Sequence, residues 1–319
     1  MCSELNENKY FITGGAGFIG RHLVDKLINE GNKVTVYDNL VSGKKENIAH
    51  HIGKDNFNFI QADMLDFDIL RAAMKGQEIV WHLGANADIP MGNRVTDLDL
   101  NNCTVATRNV LEAMRLEHID KILFSSSSTV YGDAPLIPLS ESMGPLLPIS
   151  LYGAGKLAGE GLISAYSHLF GIKAWIFRFG NVMGGYMGHG VIYDFIHKLR
   201  KNPRELEILG NGNQEKNYFL IEDCIAGMQW AFRNVKTQYD VYNLGSSTSI
   251  KVTDIAHIVV EEMGLKNVKF TYTGGTRGWP GDAPYVRYNV DKMKGLGWAA
   301  TNTSADVVRI ATRRLIQTV

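Results

Sequence analysis

The amino-acid sequence predicts an α/β fold with a doubly wound parallel sheet and a smaller C-terminal α/β lobe. Two observations support this fold class. From Lys9 to Phe179, short apolar runs alternate with segments of helical period, which is typical of repeated βαβ units with right-handed crossovers. A glycine-rich turn also joins the first predicted strand to the first predicted helix, as it does in many doubly wound sheets.

The elements of this first region follow one another in a regular order. The apolar runs predicted as strands are residues 10–13, 34–37, 57–61, 79–83, 122–126 and 174–179. The segments predicted as helices are residues 18–29, 69–74, 106–116 and 152–170. The strands are rich in β-branched and aromatic residues, and the helices carry apolar residues on one face, so each segment has the pattern of its own element.

The chain changes character after Phe179. Residues 180–190 are rich in glycine and aromatic residues, and shorter, less regular elements follow them. One more strand is predicted at residues 240–244, which would return the chain to the sheet, and a terminal helix at 304–317. We therefore predict a first domain of residues 1–179 with 217–247 returning to it, and a second lobe of residues 180–216 and 248–319.

Composition excludes several classes of function. The 33 Lys and Arg residues balance 33 Asp and Glu residues, so no broad positive field is present to bind nucleic acid or an anionic membrane. Cys2, Cys103 and Cys224 are far apart and lack metal-ligand spacing. Residues 1–9 are polar, and no apolar stretch reaches membrane-spanning length. We expect a cytoplasmic protein with no metal, nucleic-acid or membrane partner.

The glycine turn predicts a dinucleotide site of the Rossmann type. Thr13 ends the first strand, and Gly14-Gly15-Ala16-Gly17-Phe18-Ile19-Gly20 leads into a helix. Glycines let the backbone approach a pyrophosphate, and the helix N-terminus offers N–H groups to its charge. A tight turn without a ligand is the alternative explanation. The residues predicted to contact the cofactor here are Gly14, Gly17, Phe18, Ile19 and Gly20.

Asp38 ends the second predicted strand and favours NAD over NADP. A carboxylate there can accept both hydroxyl protons of the adenosine ribose, whereas it would repel a 2′-phosphate. The alternative is a cap for the turn that begins at Asn39. Asp63 follows the third strand and either bonds the adenine amino group or caps the next helix. We also predict Asn39 and Met64 as cofactor contacts.

Tyr152 and Lys156 are four residues apart, so a helix places both side chains on one face. A phenol is a poor base, but a positive charge at about 4 Å is worth roughly 4 kcal/mol at a dielectric of 20, or roughly 3 pKa units. A surface helix is the alternative. The hydroxyl residues that begin at Ser125 end a buried strand, where a parallel sheet faces its ligand, although some could form a turn.

Together these residues resemble the extended short-chain dehydrogenase/reductase family, particularly its NAD-dependent nucleotide-sugar epimerase and dehydratase group. The resemblance rests on residues 13–20, Asp38, residues 125–132 and residues 152–156 and covers nearly the whole chain. It implies a catalytic hydroxyl at Ser127, acting with Tyr152 and Lys156, and a sugar contact at Thr129. The further cofactor contacts that it implies are Leu83, Ala85, Asn102 and Ser125.

The resemblance also implies a nucleotide-diphosphate site. The substrate contacts would be Asn181, Lys216, Arg277 and Asp282, with Arg277 as the main diphosphate cation, and residues 209–214 would lie on the nucleotide side. Two departures leave the nucleotide and the sugar open. Lys216-Asn217-Tyr218 stands where the family often has Arg-Asp-Tyr, and Gly184-Gly185 where many relatives have Gly-Pro.

The expected activity is NAD-dependent 4-epimerisation of a nucleotide sugar. A net 4-dehydrogenase, acting for example on a UDP- or GDP-linked heptose or uronic acid, shares the first step and stays open. A 4,6-dehydratase is disfavoured because Ser128-Thr129 follow Ser127 where such relatives have Asp-Glu. A non-catalytic NAD-binding regulator is the alternative from another class. Helices at 104–116 and 151–170 imply a homodimer by resemblance.

Overall fold

The computed structural model describes residues 8–86, 88–135 and 137–318. Cys2 and most of the polar start of the chain lie outside these residues. The chain divides into two compact units. The first comprises Met1–Ser126, Leu151–Phe177 and Phe232–Val241, and the second Ser127–Ser150, Arg178–Ala231 and Tyr242–Val319. The domain boundaries that we derived from the sequence stay a prediction.

A seven-stranded parallel sheet is the centre of the fold, which confirms the predicted fold class. Its strands are β1 (Lys9–Thr13), β2 (Lys33–Asp38), β3 (Phe57–Gln61), β4 (Ile79–His82), β5 (Lys121–Ser127), β6 (Lys173–Phe179) and β11 (Tyr239–Leu244). They are ordered β11-β6-β5-β4-β1-β2-β3. Strands β2 and β3 are added on one side of β1, and β4, β5 and β6 on the other side. The strand order therefore reverses between β1 and β4, which is the point at which doubly wound sheets bind their ligands.

The predicted strands agree with the observed ones to within one residue at each end. β4 ends at His82 rather than at the predicted Leu83, because the N–H of Gly84 bonds the side chain of Thr13 instead of continuing the ladder. The return strand that we predicted at 240–244 is β11, which pairs beside β6 at the sheet edge. All four residues of β4 are buried, as expected for a strand covered on both faces.

The helices include all those predicted. They are α1 (Phe18–Asn29), α2 (Phe67–Met74), α3 (Ile89–Gly92), α4 (Asp97–Asp99), α5 (Ala106–Leu116), α6 (Leu151–Phe170), α7 (Val191–Lys201), α8 (Ile221–Asn234), α9 (Val252–Glu262), α10 (Asp291–Gly295) and α11 (Ser304–Thr318). Helix α2 begins two residues before the predicted Ile69, because Asp66 caps it by accepting the N–H of Ile69. None of the described helices is long and apolar enough to cross a membrane.

Tight helical turns and short strand pairs complete the structure. Lys45–Asn47, Ala49–His51 and Ser128–Tyr131 are 3₁₀ turns, and Leu100–Val105 is a π-helix that runs into α5. The second unit adds β7 (Asn181–Met183), β8 (Glu205–Ile208), β9 (Glu215–Lys216), β10 (Tyr218–Leu220), β12 (Ile250–Lys251) and β13 (Lys269–Tyr272). They pair as β7 with β10, β9 with β12 and β8 with β13.

An apolar cluster holds α2, α5 and α6 against the sheet in the first unit. Phe11, Val80 and Phe124 contribute from the strands, and Val110 and Ile163 from the helices. Each of these side chains is almost fully buried, which is worth about 1.5–3 kcal/mol per large side chain. This packing fixes the strand ends that carry the candidate site.

Candidate active site

The glycine turn after β1 is built for close backbone approach. Gly14 has a φ of +69°, and a Cβ there would lie 2.8 Å from the backbone of Gly84. A Cβ on Gly20 would lie 2.6 Å from the Cα of Gly15, so α1 can approach the turn only because this residue is glycine. Gly17 caps α1 without a side-chain hydrogen bond. The turn therefore presents backbone and a helix N-terminus, as a pyrophosphate requires.

Asp38 lies buried at the end of β2, with 7% of its surface exposed. Its Oδ2 accepts the N–H of Ala16 over 3.0 Å, and its Oδ1 accepts the N–H of Leu40 over 2.9 Å. Burial raises the pKa of this carboxyl, while the two N–H groups act to lower it. The carboxylate thus joins the glycine turn to the turn after β2, which is the capping role given as the alternative, and the ribose contact of Asp38 stays a prediction.

A cavity of about 280 Å³ lies in the first unit and is lined by four of the predicted cofactor residues, Asn39, Asp63, Ala85 and Asn102. Asn39 Nδ2 donates to Asp63 Oδ2 over 2.8 Å. Asp66, and not Asp63, caps the following helix. The other residues that line the cavity are Val41, Ser42, Leu65, Asn86, Val95, Asp97, Leu98 and Asn101.

Two other predicted cofactor contacts lie at the edge of this region. The Met64 side chain packs against Gly84, where a Cβ would lie 2.7 Å from its terminal methyl group. Leu83 donates its backbone N–H to the carbonyl of Thr13.

Asn102 belongs to the π-helix, and its side-chain amide donates to the carbonyl of Leu98 over 2.9 Å. π-helices are rare and are often found at functional sites.

His82 is the centre of a buried hydrogen-bond chain that the sequence analysis missed. Its Nδ1 lies 2.7 Å from Thr13 Oγ1, and its Nε2 lies 2.9 Å from Thr107 Oγ1. The N–H of Gly84 donates to Thr13 Oγ1, and the hydroxyl of Thr107 donates to the carbonyl of Cys103. Because the hydroxyl proton of Thr107 goes to a carbonyl, Thr107 must accept from Nε2–H of His82. In the neutral ring Nδ1 is then unprotonated and accepts from the hydroxyl of Thr13.

This chain joins three segments that are predicted to contact the cofactor. Thr13 precedes Gly14, His82 precedes Leu83, and Cys103 follows Asn102. Burial, with a smaller contribution from the charge of Lys156, lowers the pKa of His82 to about 3. The imidazole is therefore neutral near pH 7, and this neutrality leaves Nδ1 free to accept from Thr13.

Lys156 lies one helical turn after Tyr152 and is 2% exposed. Its Nζ donates to the carbonyl of Ser125 over 2.6 Å and lies 5.7 Å from the centre of the Tyr152 ring. Burial lowers the pKa of this amine, and the charges of nearby Asp99 and Glu160 oppose that effect. The alternative of a surface lysine in solvent is excluded by this burial.

Glu160 and Asp99 are buried carboxyl residues that the sequence analysis also missed. Ser126 Oγ donates to Glu160 Oε1 over 2.5 Å, one turn beyond Lys156 on α6. Asp99 is 1% exposed and accepts the side-chain amide of Asn86 over 2.9 Å. Burial raises the pKa of Asp99. Glu160 follows Lys156 by four residues, so the sequence could have placed it on the same buried face of α6. No local pattern marks Asp99.

Ser127 and Thr129 belong to the second unit. Ser127 Oγ accepts the N–H of Thr129 over 3.2 Å and caps the 3₁₀ turn Ser128–Tyr131. Thr129 Oγ1 is buried without a hydrogen-bond partner among the described residues. An unsatisfied buried hydroxyl is costly unless a ligand or water bonds it, which is consistent with the sugar contact predicted for Thr129.

Three predicted substrate residues, Lys216, Arg277 and Asp282, form one charged cluster with Asp133. Lys216 Nζ pairs with Asp282 Oδ1 at 2.6 Å and also contacts the carbonyl of Ala283. Arg277 pairs with Asp133 Oδ2 at 2.6 Å and donates to the carbonyl of Asp282. Each cation thus already has a carboxylate partner, and Asp133 is a member of the cluster that sequence reasoning did not find.

The contacts of Asn217 account for an amide at this position, where the family often has aspartate. It is fully buried, and its Nδ2 donates to the carbonyls of Ser246 and Thr248 at 2.6 and 2.7 Å. Its Oδ1 accepts the N–H of Ser246 over 3.0 Å. Asn181, predicted to contact the diphosphate, donates its side-chain amide to the carbonyl of Asn217 over 3.0 Å.

The segment at residues 209–214 packs against the one that carries Arg277. Gly210 N–H donates to Thr273 Oγ1 over 2.8 Å, and Gly274 N–H donates to the carbonyl of Gly210 over 3.0 Å. A Cβ on Gly210 would lie 2.9 Å from the carbonyl oxygen of Arg277. The two segments assigned to the nucleotide by resemblance are therefore neighbours.

A sheet of this topology, entered through this glycine turn, is typical of dinucleotide-binding proteins of the Rossmann class. Within that class the chain belongs to the NAD-dependent epimerase/dehydratase family, whose model matches residues 10–245. The resemblance to extended short-chain dehydrogenases is thereby confirmed, and the protein is an NAD-dependent enzyme of that type. The glycine turn, whose close packing leaves no room for side chains at Gly14 and Gly20, fits the pyrophosphate of that cofactor.

Individual relatives agree with this assignment. The chain is 34% identical over 295 residues to a putative UDP-glucose 4-epimerase of Methanocaldococcus jannaschii, covering 90% of this chain and 92% of the relative. A crystal structure of a UDP-galactose 4-epimerase has a TM-score of 0.86 and 38% identity over 97% of this chain and 98% of that one. The Bacillus cereus UDP-glucuronic acid 4-epimerase, in complex with UDP-glucuronic acid and NAD, has a TM-score of 0.87 and 27% identity, covering 97% and 99%.

Proposed function

We propose that the protein is a nucleotide-sugar 4-epimerase that oxidises sugar C4 transiently and returns the hydride to the other face. The observation that carries this proposal is the buried contact between Lys156 Nζ and the carbonyl of Ser125, one turn from Tyr152. This contact ties the Lys156 amine to the strand end that carries the hydroxyl residues, and the same nitrogen lies 5.7 Å from the centre of the Tyr152 ring. Three of the similar proteins are 4-epimerases by description.

Tyr152 would accept the proton of the C4 hydroxyl group, and Ser127 would orient that hydroxyl and relay its proton. Lys156 would favour the phenolate by its positive charge. The bound NAD would supply a reversible hydride acceptor for C4. Tyr152 then returns its proton to the new hydroxyl oxygen, so that neither proton nor hydride is consumed in a full cycle.

We propose a UDP-linked hexose or hexuronic acid as the substrate. The relatives support UDP, because those compared above act on UDP-glucose, UDP-galactose or UDP-glucuronic acid by description. The proposed substrate contacts are Ser127, Thr129, Asn181, Lys216, Arg277 and Asp282. The proposed cofactor contacts are Gly14, Gly17, Phe18, Ile19, Gly20, Asp38, Asn39, Asp63, Met64, Leu83, Ala85, Asn102, Ser125, Tyr152 and Lys156.

The proposal is tested by product analysis. The purified protein is incubated with NAD and a panel of UDP- and GDP-linked hexoses and hexuronic acids, and the sugars are separated by chromatography and mass spectrometry. We expect interconversion of C4 epimers with at least one UDP-sugar and no net NADH. Accumulation of NADH with a released keto sugar would instead identify a 4-dehydrogenase, and a 4-keto-6-deoxy product would identify a dehydratase.

We also propose a cytoplasmic homodimer that pairs through α5 and α6. Several apolar side chains on and beside these helices are exposed in the single chain, including Leu100, Val105, Leu151, Leu169 and Phe170. Exposed apolar groups of this kind are typical of an interface. Sedimentation equilibrium at micromolar concentration should give twice the chain mass, and a monomer would contradict the proposal.

A further inference from the structure

Two imidazoles and one carboxylate converge in the first unit on residues to which no role in NAD binding is assigned. Asp25 lies on α1, and His50 and His51 belong to the turn Ala49–His51. The Nε2 atoms of His50 and His51 lie 2.7 and 2.6 Å from the same oxygen, Oδ1 of Asp25. The three ligand atoms all lie within 4.8 Å of one another.

This is the set of ligands that zinc and its neighbours in the first transition series bind. We propose that Asp25, His50 and His51 form a binding site for a divalent transition-metal ion, with zinc as the reference case. In a tetrahedral zinc site neighbouring ligand atoms are about 3.3 Å apart, so the two distances from Asp25 Oδ1 to the imidazole nitrogens each have to lengthen by less than 1 Å. The side chain of His51 is 3% exposed, whereas those of His50 and Asp25 are 50% and 34% exposed, which leaves a side open to water as a further ligand.

Lys54 competes with the metal ion for His51. Its Nζ lies 3.0 Å from His51 Nδ1, so without a metal Nδ1 accepts from Lys54, and the ring proton is on Nε2, pointing at Asp25. When a metal ion takes Nε2, the proton of the neutral ring moves to Nδ1 and faces the ammonium group. Binding therefore requires Lys54 to swing away, and its exposed side chain can do so.

The metal would fasten the turn Ala49–His51 to α1. The preceding turn, Lys45–Asn47, is already tied to the glycine turn and to α1, because Asn47 Nδ2 donates to the carbonyl of Ala16 over 2.8 Å and Arg21 donates to Asn47 Oδ1 over 3.0 Å. An ion that binds only the folded chain stabilises it. A rise of the melting temperature with metal concentration is therefore expected.

The site is tested by calorimetric titration of ZnCl2 into the chelator-treated full chain at pH 7.5. Wild type should bind one zinc ion per chain at a saturable site. His50→Gln and Asp25→Asn should each weaken binding by about tenfold or more, because the first removes an imidazole ligand and the second replaces a carboxylate by a neutral amide. Lys54→Gln should tighten binding by about three- to tenfold, because it removes the opposing charge.

His197→Gln is the matched control. His197 is exposed on α7, and its ring bonds the carbonyl of Tyr193, so its loss should leave zinc binding unchanged. NAD affinity serves as the folding check and should stay the same in all four variants. If Asp25→Asn and His50→Gln bind zinc like wild type, or if Lys54→Gln does not tighten binding, the proposed site is wrong. No sugar enters the assay, so failure of the epimerase proposal would not affect the result.

Discussion

In the first unit the segments assigned to the cofactor are held together largely by uncharged groups, whereas in the second unit the cations assigned to the diphosphate are already paired with carboxylates. Thr13, His82 and Thr107 form a neutral, directional chain of hydrogen bonds. Lys216 and Arg277 instead form ion pairs with Asp282 and Asp133. The first arrangement is complete before a ligand arrives, and in the second a phosphate must compete with carboxylates.

The largest expected effect concerns the reacting group. Tyr152→Phe removes the hydroxyl that we propose as proton acceptor, so kcat should fall by roughly 10²- to 10⁴-fold while NAD affinity is retained. The measurement is epimerase turnover together with NAD titration. Tyr166→Phe is the control, because Tyr166 lies on the same helix and bonds Glu112, and it should keep full turnover. Equal turnover of Tyr152→Phe and wild type would remove Tyr152 from the mechanism.

The neutral chain predicts how stability depends on pH. The pKa of His82 is about 3 in the folded protein and about 6.5 in an unfolded chain, so the unfolded state binds the proton more readily. Its contribution to the free energy of unfolding is complete above pH 6.5 and is lost as the pH falls toward 3. Between pH 7.5 and 5.0 the loss should be about 2 kcal/mol.

Urea unfolding of wild type and His82→Gln at these two pH values tests this expectation. The variant lacks the titrating group, so its unfolding free energy should change less between the two pH values than that of wild type. A variant with the same pH dependence as wild type would show that His82 is not held neutral by the fold.

The hydroxyl of Thr107 tests whether the chain positions the cofactor segments. Thr107→Val leaves Nε2–H of His82 without an acceptor in the core, which costs about 1–3 kcal/mol. If the lost hydrogen bond displaces the segments that contact the cofactor, NAD affinity should fall by roughly 5- to 100-fold. The kcat at saturating NAD should change little. Thr107→Ser keeps the hydroxyl and should restore the affinity. Equal NAD affinities for the two variants would show that only packing matters there.

The smallest expected effect belongs to the charged cluster. Asp133→Asn releases Arg277 from an ion pair in which both side chains are partly exposed, and such pairs contribute no more than about 1 kcal/mol. UDP binding, measured by calorimetry, should tighten by about two- to fivefold. Glu222→Gln breaks the exposed pair with Arg314 and should have no effect. Weaker UDP binding by Asp133→Asn would contradict the competition between phosphate and carboxylate.

The sequence was sufficient for the sheet because strand and helix patterns are local. β4 and β5 each contain three consecutive apolar residues. The glycines of the turn at Gly14 are where a pyrophosphate needs close approach of the backbone. The cavity residues Asn39 and Asp63 could be anticipated because each follows a strand. The partners of His82 and of Arg277 could not, because Thr107 and Asp133 are distant in sequence and neither has a local pattern that marks it. Such pairings depend on how separate segments pack.

The amide at position 217 has a consequence for how relatives of this chain can diverge. A carboxylate has the same shape and would fit between Gly180 and Gly245, whose missing side chains leave room for it. It would, however, turn two donated hydrogen bonds, to the carbonyls of Ser246 and Thr248, into contacts between oxygen atoms. We therefore expect a homologue with aspartate here to route the backbone after β11 along a different path, so that the residue at 217 and the loop at 245–248 change together during evolution.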